Sequence, residues 1–214
     1  MGIYLFNKDV LSEVLGDRND MDFGKHVIPK SIKSKRVYAH YFDGYWRDVG
    51  TIRSFYETNL ELTQLIPPFD FYDEKARIYT RPRYLPGSKI NSCIVESSII
   101  SEGSIITDAE IRNSIIGVRS IVNSGSKIFN SIIMGADYYD DVKDRCNVEN
   151  KPLIGIGRGS IIRNAIIDKN AKIGCNVIIT NEQGIKNMDD DYYSIRDGIV
   201  VVHKDATIPD NTII

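Results

Sequence analysis

The apolar residues of this chain recur with two different periods, and the change between them falls near residue 90. Before it, GIYLF (2–6) is a short continuous apolar run that predicts a buried strand, and KDVLSEVL (8–15) predicts a helix that stops at Gly16. DFGKHVIPKSI (22–32) reads as a second helix. VYAHYFDGYWRDVG (37–50) is aromatic and β-branched, which predicts a strand or a hairpin through Gly44. After Gly50 the period turns helical: Thr51 can cap, and Ile52, Phe55, Tyr56, Asn59 and Leu60 fall on one face before Pro67 and Pro68 end the pattern. A segment this small cannot cover its own aromatic strand and amphipathic helix, so residues 1–66 are expected to be part of an α/β domain. The stretch 67–89, with Pro67, Pro68, Pro82 and Pro86, predicts an extended linker.

From Ile90 onward the step is six. Ile94, Ile100 and Ile106 begin it; Ile116, Val122, Ile128 and Met134 continue after a slip. Ile156, Ile162, Ile167, Ile173 and Ile179 resume it with one five-residue step, and Val202, Ile208 and Ile214 close the chain. Small or turn-forming residues separate these anchors, as in IGVRSIVNSGSKI and IDKNAKIGCNVI. A six-residue apolar period fits neither a helix nor a hairpin array. It fits a parallel β-helix in which each hexapeptide makes one short strand and one corner, three to a triangular coil, with the aliphatic residue in the lumen. Residues 90–214 then supply about five coils at the usual strand spacing, interrupted by insertions near 137–153 and 180–198.

Composition narrows the function classes. With 27 basic against 29 acidic side chains and a pI near 5.9, the chain has no broad basic face for nucleic acid. No apolar run approaches the roughly 20 residues of a membrane span. Cys93, Cys146 and Cys175 form neither a disulfide framework nor a zinc pattern, which points to a reducing cytosol. The N-terminus does not read as a signal peptide, and Phe6 stands where myristoylation needs Ser or Thr.

Candidate chemistry is sparse. Asp48 in YWRDVGT precedes a Gly-Thr helix start, where a carboxylate can hold Mg²⁺ beside phosphates or merely shape the turn. His26, His40 and His203 show no ligand spacing, although His203 would suit the general base of a hexapeptide-repeat acyltransferase. Arg81, Arg83, Lys169, Lys172 and Lys204 read from spacing as solvated charges, with an anion pocket as the functional alternative. The acidic, tyrosine-rich stretches 137–141 and 189–193 read as solvated loops.

Taken together, MGIYLF, DFGKHVIP, YFDGYWRDVGTIRSFYETNLEL, IYTRPRYLP, SIIGVRS, SIIMGADYY, IGIGRGSIIRNAIIDKNAKIG and GIVVVHKDATIP resemble the C-terminal half of ADP-glucose pyrophosphorylase, the glucose-1-phosphate adenylyltransferase family, in its plant and cyanobacterial form. The resemblance implies a mainly β chain: a left-handed parallel β-helix preceded by the C-terminal fragment of a Rossmann-like α/β nucleotidyltransferase domain. It implies a tetramer, cytoplasmic or plastidic, that couples ATP and glucose 1-phosphate to ADP-glucose and pyrophosphate with Mg²⁺, toward glycogen or starch. Phosphorylated metabolites regulate the family. By motif, Asp48 is similar to a metal-binding catalytic aspartate, and Arg83, Lys169 and Lys204 to the allosteric anion ligands, with Asp168 as a positioning partner for the lysine or for a neighbouring arginine. The glycine-rich nucleotide loop, the glutamate-lysine pair that grips glucose phosphate and a second metal aspartate are absent, so the chain alone is expected to be inactive. Two rivals follow: a non-catalytic regulatory paralogue and, on the repeats alone, a coenzyme A-dependent acyltransferase.

Overall fold

The computed structural model describes residues 2–16, 19–140 and 152–214, which divide into two units, Met1–Gly44 and Tyr45–Ile214. In the first, α1 (Lys8–Val14) forms where the apolar spacing placed a helix and ends just before Gly16. Asp22 then starts a π-helical turn, Phe23–Val27, by accepting the backbone N–H of Lys25 at 2.7 Å, and α2 (Ile28–Ser34) continues from it with a proline in its first turn. Neither expected strand forms. GIYLF is irregular and largely exposed, with Leu5 fully so, and VYAHYFDGYWRDVG is irregular and exposed as well. Apolar and β-branched side chains favour a strand only where a neighbouring strand satisfies its backbone, and no such neighbour lies beside these segments among the described residues.

In the second unit, α3 (Ile52–Glu61) follows the expected pattern. The Thr51 hydroxyl accepts the Ser54 N–H at 3.1 Å while the Ser54 hydroxyl accepts the Thr51 N–H at 3.1 Å, a reciprocal cap. The helix has ended before Pro67, and residues 67–88 run on without helix or strand.

The repeats wind into a parallel β-helix. The first coil is β1 (Lys89–Asn91), β2 (Ile94–Glu96) and β3 (Ile99–Ile100); the second β4 (Ile105–Thr107), β5 (Glu110–Arg112) and β6 (Ile115–Ile116); the third β7 (Ile121–Val122), β8 (Lys127–Phe129) and β9 (Ile132–Ile133). The fourth is β10 (Gly155–Ile156), β11 (Ile161–Arg163) and β12 (Ala165–Ile167). The fifth begins with β13 (Lys172–Ile173) and β14 (Ile178–Ile179), then detours through β15 (Asn187–Asp189) and β16 (Tyr193–Arg196) before β17 (Ile199–Val202), and β18 (Thr207–Ile208) opens a sixth. Three sheets result, ordered β1-β4-β7-β10-β13-β18, β2-β5-β8-β11-β14 and β3-β6-β9-β12-β17. On the third, the insertion at 180–198 appends β16 and β15 as antiparallel strands.

Register sharpens the repeat. The lumen of the first sheet stacks Ile90, Ile106, Val122, Ile156, Ile173 and Ile208; the second Val95, Ile111, Ile128, Ile162 and Ile179; the third Ile100, Ile116, Ile133, Ile167 and Val202. Two expected anchors are corrected. Ile94 faces outward, 54% exposed, and Val95 holds its lumen position; Met134 packs outside, and Ile133 is the buried residue. The step is not uniform. Crossing from the second sheet to the third takes five residues in every coil where the crossing is direct (Ile111 to Ile116, Ile162 to Ile167), whereas leaving the third sheet takes six (Ile116 to Val122, Ile167 to Ile173).

Each corner requires one left-handed residue, which explains the Gly, Asn, Asp and Ser between the anchors. Between the second and third sheets these are Ser97, Asn113, Asn130 and Asn164, and the last three form a ladder of side-chain amides. Buried serines satisfy the adjacent backbone: Ser114 Oγ accepts the N–H of Ser131, and Ser131 Oγ that of Ala165. The third sheet is apolar on its outer face as well, and there Ile52, Phe55, Tyr56 and Leu60 of α3 cover Ile132, Ile166 and Ile199. The helix is pinned near its start, at its middle and just past its end, where the Thr63 hydroxyl donates to Asn113 Oδ1 at 2.7 Å. The Tyr56 hydroxyl donates to the Asn130 carbonyl, and Arg53 donates at 2.6 Å to the carbonyl of Asp197 in the β16–β17 turn. Burial pushes the Tyr56 hydroxyl up to about 12.

Candidate functional site: a charged corner of the β-helix

The chain leaves the third sheet at one corner in every coil, and the three strands β9, β12 and β17 deliver Asp137, Asp168–Lys169 and Lys204 to adjacent levels of it. Coil-to-coil backbone bonds fix the alignment: Asn170 N–H to Gly135 O at 3.1 Å and Asp205 N–H to Lys169 O at 3.0 Å. Residues far apart in sequence thereby become neighbours. Lys169 Nζ lies 2.7 Å from Asp137 Oδ1, and Lys204 Nζ lies 3.5 Å from Asp137 Oδ2. The pivot is Asn170, 4% exposed. Its Oδ1 accepts the Asp137 N–H at 2.8 Å, and its Nδ2 donates to Asp205 Oδ1 at 2.9 Å and Asp137 Oδ2 at 3.3 Å. Asp168 Oδ1 accepts the N–H of Lys169 at 2.6 Å, which shapes the corner ahead of the lysine. Lys169's hydrogen bond above all, opposed by partial desolvation and helped by Asn170 and the charges of both lysines, holds the Asp137 carboxyl down to about 2.

Lys169 and Lys204 therefore meet on Asp137, with Asp168 at the same corner. Arg83 does not join them: its guanidinium donates to the Arg81 carbonyl at 3.3 Å, in the linker. The expectation that 137–141 is merely a solvated loop is corrected at Asp137, which is the counter-ion of both lysines; Asp141 and Cys146 lie outside the described residues. Asp137 and Asn170 were missed because nothing local marks them. The available signal is position within a repeat: Asn170 is itself the left-handed corner residue, three past the lumen anchor Ile167, and Asp137 lies two past the left-handed Gly135. Beside the corner, Arg119, Gly135, Ile154, Gly155 and Asp168 line a shallow, open-sided recess.

Asp48 stands elsewhere in the same unit. Its Oδ1 accepts the Gly50 N–H at 3.0 Å, shaping the turn into α3. The reciprocal cap occupies the N–H groups of Thr51 and Ser54 at the start of α3. No group of three His, Cys, Asp or Glu side chains among the described residues could hold a metal. Among the described residues Asp48 could thus serve Mg²⁺ only as a single carboxylate ligand. His203, whose Nδ1 lies 3.4 Å from the Asp191 carbonyl, has no carboxylate among the described residues to orient it as a base.

Two family models match the chain: one described as nucleotidyl transferase, over residues 1–65, and one described as the GLGC left-handed parallel beta-helix domain, over residues 83–213. The second covers more than half of the 214 residues and the whole of the helix built above, so its hand is left. Coiled repeats, a nucleotidyltransferase segment ahead of them and the order of the two place the chain in a family: it belongs to the GLGC nucleotidyltransferases, the ADP-glucose pyrophosphorylase family.

Proposed function

We propose that this chain is the C-terminal part of a glucose-1-phosphate adenylyltransferase of the plant and cyanobacterial type, serving glycogen or starch synthesis in the cytoplasm or plastid. Residues 1–66 contribute to its catalytic domain, 67–89 link, and 90–214 regulate and assemble a tetramer. In the reaction, a phosphate oxygen of glucose 1-phosphate attacks the α-phosphorus of ATP and pyrophosphate leaves, so the protein's task is alignment and neutralisation of charge. Mg²⁺ would supply part of that neutralisation, with Asp48 as one of its ligands. The 214 residues hold no glycine-rich nucleotide loop, and accordingly this chain alone should form no ADP-glucose; product from the purified chain would contradict the assignment of its catalytic share.

The observation that carries the regulatory half is the convergence of Lys169 and Lys204, from successive coils, on one carboxylate. Two ammonium groups on a rigid frame, held where one anion already sits, suit a phosphorylated effector. Phosphate binding measured by calorimetry should weaken about tenfold or more in Lys169→Ala/Lys204→Ala, the loss of charged hydrogen bonds worth about 1.5–3 kcal/mol each in a well-formed site. Unchanged affinity would remove the anion-site reading.

A further inference from the structure

The corner is closed upon itself. Asp137, Asp168 and Asp205 set three carboxylates against the two lysines, and every member has an internal partner: Lys169 and Lys204 on Asp137, Asp168 on a backbone N–H, Asp205 on Asn170. A phosphate placed between the two ammonium groups would meet the Asp137 carboxylate in the same place. The residues around it differ in freedom. Asn170 is buried and locked by three hydrogen bonds, whereas the Asp137 side chain is 41% exposed and needs only a side-chain rotation to reach water, its backbone remaining fixed through the N–H held by Asn170.

We propose that Asp137 is a built-in competitor, whose carboxylate occupies the seat between Lys169 and Lys204 that a phosphate-bearing ligand takes, so that binding requires the carboxylate to leave. This rests on reading the corner as an anion site. A monovalent ion such as chloride replaces Asp137 with nothing gained, while a phosphate dianion offers two charges and several oxygens to two lysines. The seat therefore selects multivalent anions, and its resting affinity is set low by its own counter-ion.

The test compares inorganic phosphate binding, by calorimetry in 0.15 M sodium chloride, in the wild-type chain, Asp137→Asn, Asp205→Asn and Lys169→Ala, with circular dichroism confirming the fold and Asp137→Ala as a second variant. Asp137→Asn removes the charge and keeps the shape. It should bind phosphate at least about fivefold more tightly, by the release of two partly exposed ion pairs, and the gain should vanish when Lys169→Ala is added. Asp205→Asn, which removes an equal charge that touches neither lysine, should change little. Asp137→Asn binding no tighter than wild type, or Asp205→Asn tightening as much, overturns the competitor role, while a weakened Lys169→Ala leaves the anion site itself standing. If Lys169→Ala binds phosphate like wild type and Asp137→Asn gains nothing, the anion site and the competitor fall together.

Discussion

Ile162→Ala should destabilise the β-helix by about 3–5 kcal/mol, the upper part of the range for emptying a core site. The residue is fully buried in the lumen, between Ile128 below and Ile179 above in register. Its neighbours sit on β8 and β14, both hydrogen-bonded to β11, so the walls cannot close on the space left. A cavity that cannot relax costs more than the transfer of the lost methyl groups. The contrast is Ile94→Ala, on the outer face of β2, where less than about 0.5 kcal/mol is expected. Urea unfolding of the two variants reads the difference directly. Equal small losses would mean that the lumen register is wrong, and a large loss at Ile94 would restore the uniform six-residue step.

Gly135→Ala should be nearly as damaging and should also weaken phosphate binding. Gly135 has φ +80°, and a Cβ there would lie 2.1 Å from the Val118 carbonyl oxygen, a backbone atom that cannot move without the coil below. The Gly135 carbonyl also accepts the Asn170 N–H, two residues before Asp137, so the corner shifts with it. Gly125 separates the two causes. It has a similar φ of +76°, yet its Cβ would be 3.6 Å from the nearest atoms of Gly159. Gly125→Ala should therefore cost only the left-handed strain, about 1–2 kcal/mol, and leave phosphate affinity unchanged. Thermal unfolding and calorimetry on both variants should show Gly135→Ala losing clearly more stability, with only that variant losing affinity.

The sequence made the coils legible because the lumen of a β-helix accepts little besides stacked aliphatics, and it made α3 legible because a capped amphipathic helix is a local object. The register was less accessible. A five-residue crossing and a six-residue crossing differ by one corner residue, and adjacent isoleucines, as at Ile132–Ile133 and Ile99–Ile100, make inner and outer positions look alike. The outer row exists because α3 covers it, a tertiary fact that no window of the chain contains. GIYLF and VYAHYFDGYWRDVG failed for the converse reason: their apolar pattern is real, but a strand is defined by its neighbour. At the corner, Lys169 and Lys204 were singled out by resemblance, while Asp137 and Asn170 needed the stacking of coils interrupted by two insertions. Near-neutral charge excludes only a broad basic face, and register alone brings Lys169 and Lys204 together at one corner.

The most direct measurement is an amide map of the ¹⁵N-labelled chain titrated with inorganic phosphate to saturation. A saturable shift centred on Asp137, Lys169 and Lys204, with the corners on the other two edges of the helix still, is the predicted result. Shifts confined to the arginines of the linker, Arg77, Arg81 and Arg83, or no saturable change at the corner, would contradict it.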